Sequence, residues 1–340
     1  MPIFTLPNHV KFFYEDSGVP NRENYITFFI IHGHTYHSGL FKPLLPIALI
    51  RGHRVLLVNR REYPGSSPYS PAELKVFAEG PDKERYRQLI NDGHDLALLL
   101  NGLIQLLSLP ETNGVAIVSW SLGNMFGLPL LASITTLPVD IQCRLGLFVK
   151  RSILWDVPCE PMGIPFPPGI YHPFVDESTP IENRGAVFAK WLTSYFPHGD
   201  LSKHDFSSLN QCDHDDTRKH TFEGLHEDDL VKIIDLSPGA RCDTHLCQTP
   251  YLAVEKEVAN KALYDPDIRA AWKTMKIWAM FGDKNPWNII YCWWTWEAES
   301  KAADRKDPAI HFTVNEGANH FFMWDNPNGC MDKLEHCWND

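Results

Sequence analysis

The chain alternates short apolar runs with longer amphipathic stretches. Val10 to Asp16, a turn at Ser17-Gly18, and then Tyr25 to Ile31 read as strand, turn and a fully apolar buried strand ending at His32-Gly33-His34. A helical stretch around Phe41 to Arg51, interrupted by Pro43 and Pro46, leads to a second apolar strand, Arg54 to Asn59. A turn-rich loop, Arg60 to Pro68, follows it. Residues 82 to 107 space apolar and charged residues at helical period, which predicts a long amphipathic helix packed on a sheet. Val115 to Trp120 predicts a third buried strand and the pattern turns helical at Leu122. Pro129 removes a backbone donor from that helix, so a kink or early break is expected there. Leu145 to Leu154 predicts a fourth strand, ending at Trp155-Asp156. Strands and helices in this alternation specify an α/β fold with a doubly wound, mostly parallel sheet.

From about residue 157 the composition becomes Pro-rich, then acidic and His-rich, with weak helical periodicity at Ala186 to Phe196, Leu225 to Leu236 and Leu252 to Ala262. The stretch is about a hundred residues long, too long for a connecting loop, and is read as an inserted, mainly helical lid. The core pattern resumes with a strand at Lys276 to Asp283, a helix around Trp293 to Ala303, a strand at Ile310 to Val314 and a terminal amphipathic helix after Pro327. The expected organisation is a core of residues 1–156 and 265–340 carrying a lid of residues 157–264. The lid's entry, Pro158 to Pro173, with Phe166, Tyr171 and Phe174, is placed as an apolar ceiling over a pocket.

Composition narrows the partners. The 340 residues are 44% hydrophobic and 21% charged, the balance of a soluble globular protein. A net charge of −11 with no concentrated basic patch repels phosphate backbones and anionic bilayers, so neither nucleic acid nor a membrane is an expected partner. There is no basic and apolar leader pattern at Met1 to Asn8, and no run is apolar enough to span a bilayer, so a cytoplasmic address is expected. Eight cysteines spread through a long chain are read as free thiols; Cys242 and Cys247, the close pair, match no zinc or redox motif. No cofactor is expected.

The chemistry concentrates at Ser119-Trp120-Ser121-Leu122-Gly123. A serine hydroxyl becomes a useful nucleophile when a sharp strand-to-helix turn holds it on exposed backbone beside a base, with donors waiting for the oxyanion. Such a turn needs small residues two before and two after the serine, because backbone and helix approach closely there. The buried strand Val115 to Val118 runs straight into this pentapeptide, which makes Ser121 the candidate nucleophile; Ser119 stands where glycine is usual. His32, His34 and His37 together raise the alternative of a metal, but their place in a loop after a strand, with no carboxylate cluster nearby, argues against one. Cys212 to Asp216 is read as a solvated acidic loop.

On these residues the chain resembles the α/β-hydrolase family over roughly residues 8 to 155 and 270 to 330. His32-Gly33-His34-Thr35 is similar to the family's oxyanion loop, which implies that the backbone N–H groups of His34 and Leu122 bind the oxyanion. Arg60 to Ser66 resembles the Asp-x-Arg-Gly-Tyr-Gly-x-Ser loop, with Asn59 and Glu62 departing from it. The family order of nucleophile, acid and histidine implies Asp283, in Gly282-Asp283-Lys284-Asn285, as acid and His320, in Gly317-Ala318-Asn319-His320, as base. Asp156 competes for the acid's role, since some members place it at the end of that earlier strand.

A serine at this position excludes the epoxide-hydrolase and haloalkane-dehalogenase branches, which place Asp there. The resemblance implies a serine esterase or lactonase acting on a neutral, largely apolar small molecule through an acyl-enzyme. The alternatives are an acyltransferase or cyclase, a carbon–carbon hydrolase or lyase, and a ligand sensor without turnover. The elbow and the large lid are similar to those of fungal hydrolases of specialised metabolism. Tyr36 and Trp120 flank the oxyanion elements and are read as packing residues, with lining of the acyl pocket as the alternative for either; Trp287, Trp293, Trp294 and Trp296 are read as core or helix packing.

Overall fold

The computed structural model describes residues 2–173, 176–180, 184–302 and 310–339. Eight strands form one sheet: β1 (Ile3–Thr5), β2 (Lys11–Asp16), β3 (Thr27–Ile31), β4 (Arg54–Val58), β5 (Val115–Trp120), β6 (Val149–Trp155), β7 (Lys276–Gly282) and β8 (Ile310–Asn315). They lie in the order β1-β2-β4-β3-β5-β6-β7-β8. The pairs β1/β2 and β2/β4 are antiparallel, and every pair from β4 through β8 is parallel.

The uninterrupted apolar strands resolve into two faces with the period of two that a pleated strand imposes. Phe29 and Ile31 join Leu56, Val58, Val115 and Ile117 in one core layer. Phe28 and Ile30 join Val55, Leu57, Ala116 and Val118 in the other. Helices Asp82–Leu106 and Asn124–Ala132 cover the first face; helices Leu44–Ile50 and Pro327–Asn339 cover the second. With helices on both faces, each parallel pair is joined by a covered crossover.

Several boundaries depart from the periodic reading. The apolar run from Leu145 begins as the last turn of helix Val139–Phe148, and β6 starts at Val149. A short apolar run carries no period of its own, so helix end and strand start merge in the sequence. The nucleophile helix passes through Pro129 and ends at Ala132, with Ser133 N–H still donating to the Pro129 carbonyl at 2.9 Å. The helix expected around Trp293 begins six residues earlier, at Trp287, and is described to Ala302; Ala303 lies outside the described residues.

The segment between β6 and β7 docks in two ways. Its outer part places Trp191, Phe196 and Leu209 against Trp287, Ile290 and Trp294 of helix Trp287–Ala302. The last helix of the expected lid, Leu252–Tyr264, buries Val254, Val258 and Ala262 in the first core layer, so the end of that lid packs as a core helix. That stripe at four-residue spacing is what lets it cover the sheet-side helices. The helical reading of Leu225 to Leu236 reduces to the single turn Glu227–Leu230. Among the described residues no helix is long and apolar enough to cross a membrane. Among the described residues no disulfide forms between the eight cysteines.

Candidate active site

Ser121 sits between β5 and a 3-10 turn, Ser121–Gly123, that leads into helix Asn124–Ala132. Its φ is +56°, the left-handed region that costs a non-glycine residue about 1 kcal/mol or more and lifts the side chain clear of the sheet. The close approaches that the turn demands are present. A Cβ on Gly123 would lie 2.5 Å from the Ile31 carbonyl oxygen, and one on Gly33 would lie 2.8 Å from Ser121 Cβ. The hydroxymethyl of Ser119 is accommodated by Gly127 one turn into the helix, where a Cβ would sit 1.9 Å from Ser119 Oγ.

His320 Nε2 lies 2.9 Å from Ser121 Oγ. The imidazole is buried, stacked on the Trp120 indole with ring centres 4.6 Å apart, and its carbonyl accepts from Trp120 Nε1 at 3.0 Å. Trp120 therefore holds the histidine against the elbow. It also lines the adjoining cavity, the alternative to simple packing.

The carboxylate beside His320 is Asp156, and the expectation for Asp283 is corrected on this point. Asp156 Oδ2 lies 3.3 Å from His320 Nδ1, a contact too long and off-line for a formed hydrogen bond. Asp156 Oδ1 accepts from Gly282 N–H at 3.0 Å and from Asn285 Nδ2 at 2.7 Å. Burial pushes the Asp156 carboxyl above its ordinary value, with these donors and His320 pulling the other way. Asp283 instead accepts from Gly317 N–H at 2.6 Å and braces the turn that carries His320. The reason is register: Trp155 pairs with Met280, so Asp156 stands level with Phe281, and Asp283 projects two residues beyond it. The Gly-Asp-Lys-Asn turn after β7 supplies donors to the acid rather than the acid itself.

His34 and Leu122 both line the cavity beside Ser121. The loop that carries His34 is fixed by a buried network. His32 Nε2 accepts from Arg60 N–H at 3.1 Å, which leaves Nδ1–H to donate to the Gly33 carbonyl at 2.9 Å. Burial keeps His32 neutral, its pKa well below the usual range, with Arg60 adding to the effect. The Arg60 guanidinium donates to the His32 and Gly33 carbonyls and makes a two-pronged contact with Asp243, at 3.1 and 2.6 Å. Tyr63 donates to Asp243 Oδ2 at 2.6 Å and accepts from Thr35 N–H at 2.9 Å. Arg60 and Asp243 carried no sequence signal for this contact, because they are 183 residues apart. His34 itself reaches Thr35 and Thr244, and His37 caps the turn Ser38–Phe41, so the three histidines go to separate partners.

The cavity above Ser121 and His320 is walled by Trp120, Leu122, Phe188, Trp191, Leu192 and Ile289. Glu160, His172, Thr244, Cys247 and Asn288 also reach it. Phe166 and Tyr171, expected in its ceiling, pack on Trp287 instead: the Phe166 ring lies 5.2 Å from it, and the Tyr171 carbonyl accepts from Trp287 Nε1. Phe174 lies outside the described residues. Tyr36 packs among Trp120, Phe222 and Phe321, away from the cavity.

With sheet order, elbow and histidine turn in hand, the class is a serine-bearing α/β fold of hydrolase type. The alpha/beta hydrolase family matches residues 28–332, and the chain belongs to that family. No curated protein matches the sequence. Among solved structures, epoxide hydrolase A from Mycobacterium thermoresistibile is similar at 13% identity, with 99% of this chain and 97% of that chain covered and a TM-score of 0.50. The thioesterase domain from the curacin biosynthetic pathway is similar at 11% identity, 98% of each chain and a TM-score of 0.50. Bromoperoxidase from Bacillus anthracis has 15% identity, coverage of 97% and 96%, and a TM-score of 0.49. At these identities the likeness is one of fold.

Proposed function

We propose that the protein is a serine hydrolase that cleaves a neutral, largely apolar carboxylic ester or lactone, with Ser121 as nucleophile, His320 as base and Asp156 as acid. The observation that carries the reading is the 2.9 Å approach of His320 Nε2 to Ser121 Oγ on a strained elbow. His320 takes the hydroxyl proton as Oγ bonds to the substrate carbonyl carbon. The N–H groups of His34 and Leu122 stabilise the oxyanion, one such donor being worth about 3 kcal/mol. Collapse of the tetrahedral adduct breaks the carbon–oxygen bond, and His320 returns its proton to the leaving alcohol. Water, deprotonated by His320, then releases the acid and restores Ser121. Asp156 keeps Nδ1 protonated and stabilises the imidazolium, its contact tightening from the 3.3 Å of the free enzyme. The segment of residues 157–251 acts as the lid, its Phe188, Trp191 and Leu192 walling the cavity.

A fluorophosphonate probe with mapping of the adduct tests the nucleophile: labelling on Ser121 is expected, and absence of label there overturns the assignment. Ser121→Ala and His320→Ala should each lower kcat on an activated ester by orders of magnitude, and together by little more than either alone, because the pair acts as a unit. Additive losses would contradict the mechanism.

A further inference from the structure

Two residues that line the cavity of Ser121 carry buried side-chain oxygens with no hydrogen-bond partner. Glu160 opens the turn Glu160–Met162 directly after β6, is only 8% exposed, lines the cavity, and has no protein partner for Oε2. Asn288, on helix Trp287–Ala302, approaches from another element; it is 7% exposed, lines the same cavity, and has no partner for Oδ1. Behind Glu160 lies Glu255 of helix Leu252–Tyr264, buried, with neither carboxyl oxygen partnered. The turn is pressed onto that helix, since a Cβ on Gly163 would meet the Leu252 carbonyl at 2.3 Å.

Among the described residues no cation lowers the pKa of either carboxyl. Burial pushes Glu160 up to about 7 and Glu255 well above the carboxylate range, the second with repulsion from Glu160 added. Leaving a buried acceptor unmatched is destabilising, and packing alone would be served better by Met or Leu at these positions. Unpaired acceptors from two elements, beside the apolar walls of Trp120, Leu122, Phe188, Trp191, Leu192 and Ile289, are the arrangement by which a pocket reads one polar group on an apolar ligand.

We propose that Glu160 and Asn288 form a polar subsite that accepts a hydrogen bond from the substrate, so that the ester or lactone carries a donor group, hydroxyl or ammonium, on its apolar body. This rests on the reading of Ser121 as the nucleophile in the same cavity. A molecule lacking the donor leaves both acceptors buried and unpaired, which is how such sites reject it.

The test uses fluorophosphonates with alkyl chains of equal length ending in methyl, hydroxyl or ammonium, and compares second-order rates of Ser121 labelling in the full chain. Wild type should react about tenfold or more faster with a donor-ended probe than with the methyl-ended one. Glu160→Met and Asn288→Leu should each bring that ratio toward one. Glu160→Gln, which keeps an acceptor but cannot ionise, should retain the preference for hydroxyl and lose a preference for ammonium, and so tells the two donors apart. Because rates are compared within one variant, a loss of folded protein cancels from the ratio. Equal rates with all three probes in wild type, or ratios untouched in Glu160→Met and Asn288→Leu, overturn the subsite and leave the hydrolase reading standing. Absence of label on Ser121 with every probe overturns the hydrolase reading itself, and the subsite with it.

Discussion

Ser119 and Gly127 form a matched pair. The elbow departs from its usual glycine at residue 119, and the departure is tolerated because the helix facing it lacks a side chain there: a Cβ on Gly127 would come within 1.9 Å of Ser119 Oγ. Gly127→Ala should therefore destabilise by about 1–3 kcal/mol despite alanine's better helix propensity. Ser119→Gly in the same chain should recover most of that loss, which a double-mutant cycle by chemical denaturation measures; additive effects would show that the two positions do not interact. The glycine pattern was visible in the sequence, whereas the compensation across a helical turn was not.

Between elements, which aspartate stands beside His320 is decided by how β6 and β7 are aligned. Both Asp156 and Asp283 follow the C-terminal ends of adjacent parallel strands, and local sequence favoured Asp283 because its Gly-Asp turn matches a familiar pattern. The pairing of Trp155 with Met280 puts Asp156 at the level of the histidine and carries Asp283 past it to Gly317. Asp156→Asn should lower kcat by about 10³–10⁴ with little change in KM, while Asp283→Asn, loosening only the turn before His320, should cost about tenfold or less. Steady-state hydrolysis of an activated ester compares the two, and the reverse order would return the acid's role to Asp283. In helix Asp82–Leu106, burial raises Asp92 to about 7, with Arg61 opposing at 3.9 Å. A carboxyl raised on folding costs nothing below its unfolded value near 4, and an increasing amount up to its folded value. Asp92→Asn should accordingly stabilise the chain more at pH 8 than at pH 4, by ~2–4 kcal/mol, in denaturant titrations at the two pH values.

At the scale of the whole molecule, the segment between β6 and β7 is tied to the core at the loop that follows β3, the proposed oxyanion loop. Arg60 holds the carbonyls of the oxyanion loop with one side of its guanidinium and Asp243 of the insert with the other. Burial alone would raise Asp243, but Arg60 and Tyr63 hold it below the ordinary carboxylate range. Its stabilising contribution is thus complete above about pH 4 and is lost as pH falls through the depressed value. Arg60→Met should cost about 3–5 kcal/mol near neutral pH, because it leaves a buried carboxylate uncompensated. Adding Asp243→Leu should restore part of it. A second variant no more stable than the first, by urea denaturation, would argue that the pair is not coupled. A further tether lies beside the histidine turn, where Arg218 donates to the Gly317 carbonyl at 2.8 Å and Asn319 reaches Thr221.

The sequence by itself determined the sheet, the elbow and the histidine, because these follow from local rules: apolar runs of strand length, small residues around a sharp turn, and a turn after the last strand. A change of composition at residue 157 led to the reading of an inserted lid, whose last helix, Leu252–Tyr264, packs in the core. Strand register and long-range packing decided the rest. Two aspartates with equivalent local settings differ by two residues of height across a sheet, and no property of either neighbourhood encodes that offset. Likewise Glu160, Asn288, Arg60 and Asp243 read as ordinary polar residues along the chain. Only tertiary structure brings them, from positions far apart in sequence, to the cavity and to the loop behind it, where burial gives their unpaired or paired charges a consequence.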